Sequence, residues 1–310
     1  MIVLKSAVLA LALAATGSAS VPSNGPSWRV LDTGSTAQFR GLSAVSSQVA
    51  WASGTGGTVL RTTDGGRSWR SVGPPGTADL QFRDIEALDA RHAAILSIGE
   101  GEQSRIYVTR NGGVSWTETF RNTEPAAFYD CLAFFDPLHG IALSDPVNGK
   151  FRIASTSDGG ASWTVAPDAG MPPALPGEFA FAASGTCLVT ASTLSHTSAW
   201  FATGGSTSAR VFRTHNRGAT WSVSDSPIPS GPTAGIYSLA FRDPWHGIAV
   251  GGDFTAPTVA PDAAATSRDG GRTWTVAPRS GTRPAPGVRP STCDRRRATS
   301  RRRPGPPSAR

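Results

Sequence analysis

Thr62-Thr63-Asp64-Gly65-Gly66-Arg67-Ser68-Trp69 sets the grammar of this 310-residue chain, which spells the same stretch five times. It returns as Thr109-Arg110-Asn111-Gly112-Gly113-Val114-Ser115-Trp116 and Thr156-Ser157-Asp158-Gly159-Gly160-Ala161-Ser162-Trp163. The last copies are Thr214-His215-Asn216-Arg217-Gly218-Ala219-Thr220-Trp221 and Ser267-Arg268-Asp269-Gly270-Gly271-Arg272-Thr273-Trp274. Each reads hydroxyl, any residue, Asp or Asn, a Gly-bearing pair, two more residues, Trp. That spelling describes a tight turn. The Asp or Asn side chain accepts hydrogen bonds from amides just downstream, glycine supplies positive φ, and the hydroxyl two residues earlier braces the same loop. The Trp opens the next strand and packs beneath the turn. Successive tryptophans lie 47, 47, 58 and 53 residues apart, and a repeat of about 40–50 residues built from short strands points to the blades of a propeller.

The rest of each repeat supplies the strands. Leu42–Val45, Val49–Gly54 and Thr58–Thr62 read as three strands leading into the first turn, and Trp69–Val72 as a fourth. The same order recurs around Gly140-Ile141-Ala142-Leu143 and Gly247-Ile248-Ala249-Val250, each preceded by an Asp-Pro-x-His turn at Asp136–His139 and Asp243–His246. With 35 Gly, 24 Pro and only 16% charged residues, and no long amphipathic pattern, the chain reads as all-β, with four short strands per blade.

The ends read differently. Residues 1–20 carry Lys5, a short apolar run and the small residues Ser18-Ala19-Ser20, the pattern of a secretory signal peptide too short to span a bilayer; a secreted or cell-envelope location and no membrane span in the mature chain are therefore expected. Ser27–Gly34 resembles Ser68–Gly73 without a preceding turn motif, as an orphan fourth strand would. One propeller domain is expected over 27–278. Residues 279–310 hold ten Arg against Asp294 and no strand pattern. Without them the formal charge falls from +7 to −2, so the basicity belongs to this stretch. It reads as a basic arm for polyanions, a solvated extension or an out-of-frame end; no nucleic-acid partner is expected unless the arm is genuine.

The repeated turn resembles the Asp-box (BNR) repeat, which in known families joins the third and fourth strands of a propeller blade. With the Gly-Ile-Ala-Val-Gly-Gly-Asp run at 247–253, the grammar over about residues 27–278 looks like the photosystem II stability/assembly factor-like propellers. Their secreted bacterial relatives are often labelled oxidoreductases or glycosyl hydrolases. The resemblance implies a closed propeller, usually of seven blades; five Asp-boxed blades are visible here, so the toroid reads as truncated.

Asp-box sialidases use an arginine triad, a Tyr nucleophile with a Glu partner, and an acid/base Asp. This chain has only Tyr107, Tyr129 and Tyr237. Arg40 and Arg83 fall at matching positions, with Tyr129 and Ile236 in the corresponding slots of later blades, so the triad is incomplete. A glycosidase needs two facing carboxyls. Asp84 and Asp130 align at the starts of innermost strands, with Tyr237 in the equivalent place, and Asp145 and Asp253 follow second strands. These four acids are candidate catalytic residues, and satisfied turn caps are the plainer reading of them. Cys131, Cys187 and Cys293 have no metal-ligand spacing; Cys131 and Cys187 are either a disulfide or buried thiols. The five histidines are scattered, and no phosphate loop or dinucleotide fingerprint is present, so neither metal nor cofactor is expected. The residues favour a monomeric binding protein over an enzyme: Arg40, Arg83, Asp84, Tyr129, Asp130 and Tyr237 would line a channel mouth offered to a protein or glycan. The Asp-box residues Asp64, Trp69, Asn111, Trp116, Asp158, Trp163, Asn216, Trp221, Asp269 and Trp274 are structural.

Overall fold

The computed structural model describes residues 29–193, 196–258 and 262–278. The leader at 1–20, Ser27 and Trp28 of the expected orphan strand, and residues 279–310 with Cys293 lie outside the described residues.

Blade 1 is β1 (Phe39–Ala44), β2 (Ala50–Gly54), β3 (Val59–Thr62) and β4 (Arg70–Ser71). Blade 2 is β5 (Gln81–Ala87), β6 (Ala93–Ile98), β7 (Arg105–Thr109) and β8 (Thr117–Arg121). Blade 3 is β9 (Tyr129–Phe134), β10 (Gly140–Val147), β11 (Lys150–Thr156) and β12 (Thr164–Val165). Blade 4 adds a short β13 (Phe179–Ala180) to β14 (Leu188–Thr193), β15 (His196–Gly204), β16 (Arg210–Thr214) and β17 (Ser222–Asp225). Blade 5 is β18 (Ala234–Phe241), β19 (Gly247–Asp253), β20 (Ala264–Ser267) and β21 (Thr275–Val276).

Every ladder is antiparallel and runs in chain order from the inner to the outer strand. In blade 4 the inner position is shared: β13 pairs the end of β15 and β14 its remainder, which accounts for the longest repeat. Blades 4 and 5 touch at Gly204 and Gly235, where a Cβ on either residue would come within 2.5 Å of the other's Cα. Among the described residues the helical elements are two 3-10 turns, Gly101–Gln103 and Asp168–Gly170, and no helix is long and apolar enough to cross a membrane. Arg29–Gly34 forms no strand. Blade 5 supplies its own fourth strand, β21, so among the described residues no three-stranded blade awaits the orphan strand that the sequence suggested.

All five turns form as their spelling requires. In the first, the Thr62 hydroxyl donates to Asp64 Oδ1 at 2.8 Å and accepts from the Gly66 amide at 2.9 Å, while the Ser68 amide and hydroxyl donate to the Asp64 carboxylate at 2.9 and 2.6 Å. In the Asn versions one bond reverses: Asn111 and Asn216 donate through Nδ2 to Ser115 and Thr220. Four copies place Gly in the left-handed region at the residue after the Asp or Asn. The fourth copy puts Arg217 there at φ 57°, a conformation that costs a β-carbon residue energy. Each box Trp immediately precedes the fourth strand rather than forming part of it.

The core is not one cluster but four slabs, one between each pair of successive blades. Trp51, Phe82 and Ile95 fill the first; Leu96, Tyr129 and Ala142 the second; Ile141, Leu143 and Phe201 the third; Trp200, Leu239 and Trp274 the fourth. Alternation along each strand gives every blade one apolar face toward its predecessor and one toward its successor. The outermost faces show what that neighbour does. Ile141 and Leu143 on β10 are 1% and 0% exposed, whereas Ile248 and Val250, at the same repeat positions on β19, are 41% and 44% exposed, and Leu42 on β1 is 68% exposed.

Candidate functional site

The inner strands share an irregularity that the sequence did not disclose. In β1 the pairing with β2 skips Arg40, in β5 the pairing with β6 skips Arg83, in β9 the pairing with β10 skips Asp130, and in β18 the pairing with β19 skips Tyr237. Each skipped residue is a β-bulge, an extra residue left out of the ladder, a device that re-aims a side chain. The bulge also resets the alignment between blades. Arg40, Arg83, Asp130 and Tyr237 occupy one repeat position. Asp84 aligns with Gly41, Cys131 and Ser238 rather than with Asp130, and Tyr129 and Ile236 stand one place before the bulge. The sequence alignment was wrong by one residue because period-2 alternation carries no mark of an inserted residue.

Four of the six expected channel-mouth residues are buried: Arg83, Asp84, Tyr129 and Asp130, at 5% exposure or less. Arg83 is held by the Ala182 carbonyl of blade 4 at 3.3 Å and by Gln81 at 2.9 Å. Tyr129 packs edge-on to Phe120, and burial raises its phenol pKa. Arg40 and Tyr237 remain partly exposed, with the Tyr237 hydroxyl donating to the Gly252 carbonyl at 2.5 Å. Two of the partners that bury this group come from blade 4: Ala182 meets Arg83, and Gly185 approaches Asp84 so closely that its Cβ would strike the carboxylate.

The acids considered for catalysis are largely structural in their bonding. Asp84 accepts from the Leu132 amide of blade 3 at 2.7 Å and from Ile85 at 2.7 Å. Burial, reinforced by Glu86, pushes its carboxyl well above the ordinary range. Asp145 accepts from the Ala180 amide of blade 4 at 2.8 Å, another blade-to-blade link. Asp253 caps a turn through the Thr255 hydroxyl and amide at 2.7 and 2.8 Å, bonds that hold its pKa low. Cys131 and Cys187 are joined in a disulfide between blades 3 and 4, with Cα atoms 6.2 Å apart. Among the described residues no group of three or more His, Cys, Asp or Glu is placed to hold a metal ion.

The paired turns at Asp136–His139 and Asp243–His246 prove to be three. Asp89–His92 has the same geometry, each Asp capping the His amide and meeting the His Nδ1 at about 2.9–3.0 Å. Two of them border a groove between blades 2 and 3 with a volume of about 260 Å³. Sequence reasoning also missed Glu86, whose side chain lines this groove with Leu88, Val108, Phe134 and Phe135 and whose pKa burial pushes up to about 7. The repeat alignment held the signal: Ser43, Ala133 and Ala240 stand at the same position of blades 1, 3 and 5, so a carboxylate there is not demanded by the fold.

No protein-family model matches the chain, and no curated protein matches it. Among solved structures it is similar to YCF48 bound to D1 peptide, at 17% identity over 82% of this chain and 87% of that one, with a TM-score of 0.42. It is also similar to the NanB sialidase from Streptococcus pneumoniae, at 12% identity over 65% of this chain and 32% of that one with a TM-score of 0.43, and so spans about a third of that protein. A third is the BP39L lectin from Burkholderia pseudomallei, at 14% identity over 79% and 70% of the two chains, with a TM-score of 0.48. These are likenesses of fold. The chain is an all-β assembly of antiparallel four-stranded blades that resembles the Asp-box propellers.

Proposed function

We propose that this chain is an exported binding propeller that offers the axial ends of its inner strands to a protein or glycan partner. One observation carries the reading: the same bulge recurs in four inner strands and sets Arg40, Arg83, Asp130 and Tyr237 at equivalent places. A bulge repeated in register is a built feature. Arg83 and Asp130 serve as the buried foundation of this surface, and Arg40 and Tyr237 as its reachable part. The bonding of Asp84, Asp145 and Asp253 to backbone amides supports binding over glycoside hydrolysis. Export is part of the proposal, supported by the leader-like residues 1–20 and by the Cys131–Cys187 disulfide, a bond that persists in oxidising compartments.

The test is a screen of the purified protein against immobilised glycans and peptides, with Arg40→Ala and Tyr237→Ala as matched variants, beside a turnover assay on aryl glycosides. Saturable binding weakened about tenfold or more by either variant, without turnover, is the expected result. Turnover that is lost in Asp84→Asn or Asp130→Asn would replace binding with hydrolysis.

A further inference from the structure

Glu86 does nothing for the fold that its repeat equivalents do not do without a charge. It lies near the end of β5 and lines the groove between blades 2 and 3. Among the described residues no hydrogen bond or ion pair reaches its carboxylate. The other charged and titratable groups around it are committed elsewhere. Asp136 caps its own turn through the Leu138 and His139 amides, His92 meets Asp89, Arg110 reaches the Asp158 carbonyl, and Asp84 is bonded to Leu132. The walls are apolar and aromatic: Leu88, Ala94, Val108, Phe134 and Phe135.

A carboxylate partly withdrawn from water, as that of Glu86 is, and left without a partner is costly, and a cation brought to it recovers that cost. Aromatic faces add attraction for the same charge, and apolar walls suit the methylene stem of a long basic side chain. We propose that this groove binds a cation carried on an apolar stem, the side chain of a lysine or arginine in a partner segment. Glu86 meets the charge, and Phe134, Phe135 and Leu88 cover the stem. Binding draws a proton from Glu86 when that residue is neutral, so affinity rises as pH rises through about 7.

This groove is separate from the axial residues, and its test does not depend on them. The intact protein is titrated by NMR with Nα-acetyl-lysine methylamide and with its uncharged counterpart Nα-acetyl-norleucine methylamide, at pH 6 and pH 8. The lysine probe should bind about tenfold more tightly than norleucine at pH 8, lose most of that preference at pH 6, and lose it at both pH values in Glu86→Gln. Gln fills the same space, and its spectrum reports whether the fold is kept. Equal binding of the two probes at pH 8, or an unchanged preference in Glu86→Gln, overturns the proposal. So does lysine binding that emerges only in Arg110→Ala, because Arg110 would then be the partner of Glu86 in solution.

Discussion

Asp84 of blade 2 accepts a hydrogen bond at 2.7 Å from the amide of Leu132, on the inner strand of blade 3. At the equivalent place Cys131 links blade 3 to blade 4 covalently, and Gly41 lets blade 1 close on blade 2, where a Cβ would come within 3.0 Å of the Ile85 amide. One strand position therefore joins successive blades in three chemical ways. Asp84→Ala should cost about 1–3 kcal/mol by orphaning buried amides, whereas Asp84→Asn keeps one acceptor oxygen for the two amides of Ile85 and Leu132 and should lose less. Urea unfolding at pH 7 measures both; equal losses in the two variants would show that the carboxylate's charge, not its acceptor, matters.

Closing a loop across a sequence separation of 56 residues restricts the unfolded chain, a contribution of about 4 kcal/mol in the loop-entropy account. Reduction, or the double variant Cys131→Ala with Cys187→Ala, should lower the melting temperature markedly. Identical melting curves with and without reductant would rule out a stabilising bridge.

Ile141 and Ile248 are the same residue of the repeat in opposite surroundings. Ile141→Ala leaves a cavity between blades 3 and 4 and should cost about 2–5 kcal/mol. Ile248→Ala, on the uncovered face of blade 5, should cost under about 1 kcal/mol. Denaturant midpoints of the two variants compare them directly; similar losses would mean that the face of blade 5 is covered in solution.

Hydrogen bonds from box hydroxyls and amides hold Asp64 and Asp158 at a pKa of about 2, and the same kind of bonds outweigh burial to bring Asp269 to about 2. A depressed carboxyl stabilises the fold above its unfolded pKa near 4, and that stability disappears as pH falls through the folded value near 2. Asn111 and Asn216 do the same work without titrating. The triple variant Asp64→Asn, Asp158→Asn, Asp269→Asn should therefore fold and lose less melting temperature than the parent between pH 5 and pH 2. The remaining decline belongs to the other lowered carboxyls: Asp89, Asp136 and Asp243, whose turn-cap bonds outweigh burial, Asp253, held by Thr255, and Glu118, held by Arg121.

Glu86 has the opposite sign. Its pKa is raised from 4.5 to about 7, so the folded state resists its ionisation and loses stability as pH climbs from the unfolded value through about 7. Glu86→Gln should match the parent at pH 4 and exceed it by about 1–3 kcal/mol at pH 8. Parallel melting curves across that range would mean that the carboxylate is already compensated.

Much of this architecture was legible because its determinants are local. Thr62, Asp64 and Gly66 meet within one turn, so their spelling alone announces the turn, and five spellings announce five blades. The alternating apolar residues around Gly140–Leu143 announce strands with two buried faces. The described part of the expected orphan strand, Arg29–Gly34, forms no strand for the complementary reason. A strand needs a ladder, and whether a ladder is open depends on strands far away in the chain.

The sequence by itself determined the repeat, its turns and its all-β blades, since hydrogen bonds within four residues and a period of two fix them. Tertiary structure decided the rest. The bulges at Arg40, Arg83, Asp130 and Tyr237 arise from pairing between strands, and that one-residue insertion settled which residues share a place around the axis. Packing of blade against blade decided that Asp84 is a strut, that Cys131 meets Cys187, and that Ile141 is buried while Ile248 is not. The same packing left Glu86 lining a groove beside Phe134 and Phe135, because a side chain's partners are set by what the neighbouring blade brings to it.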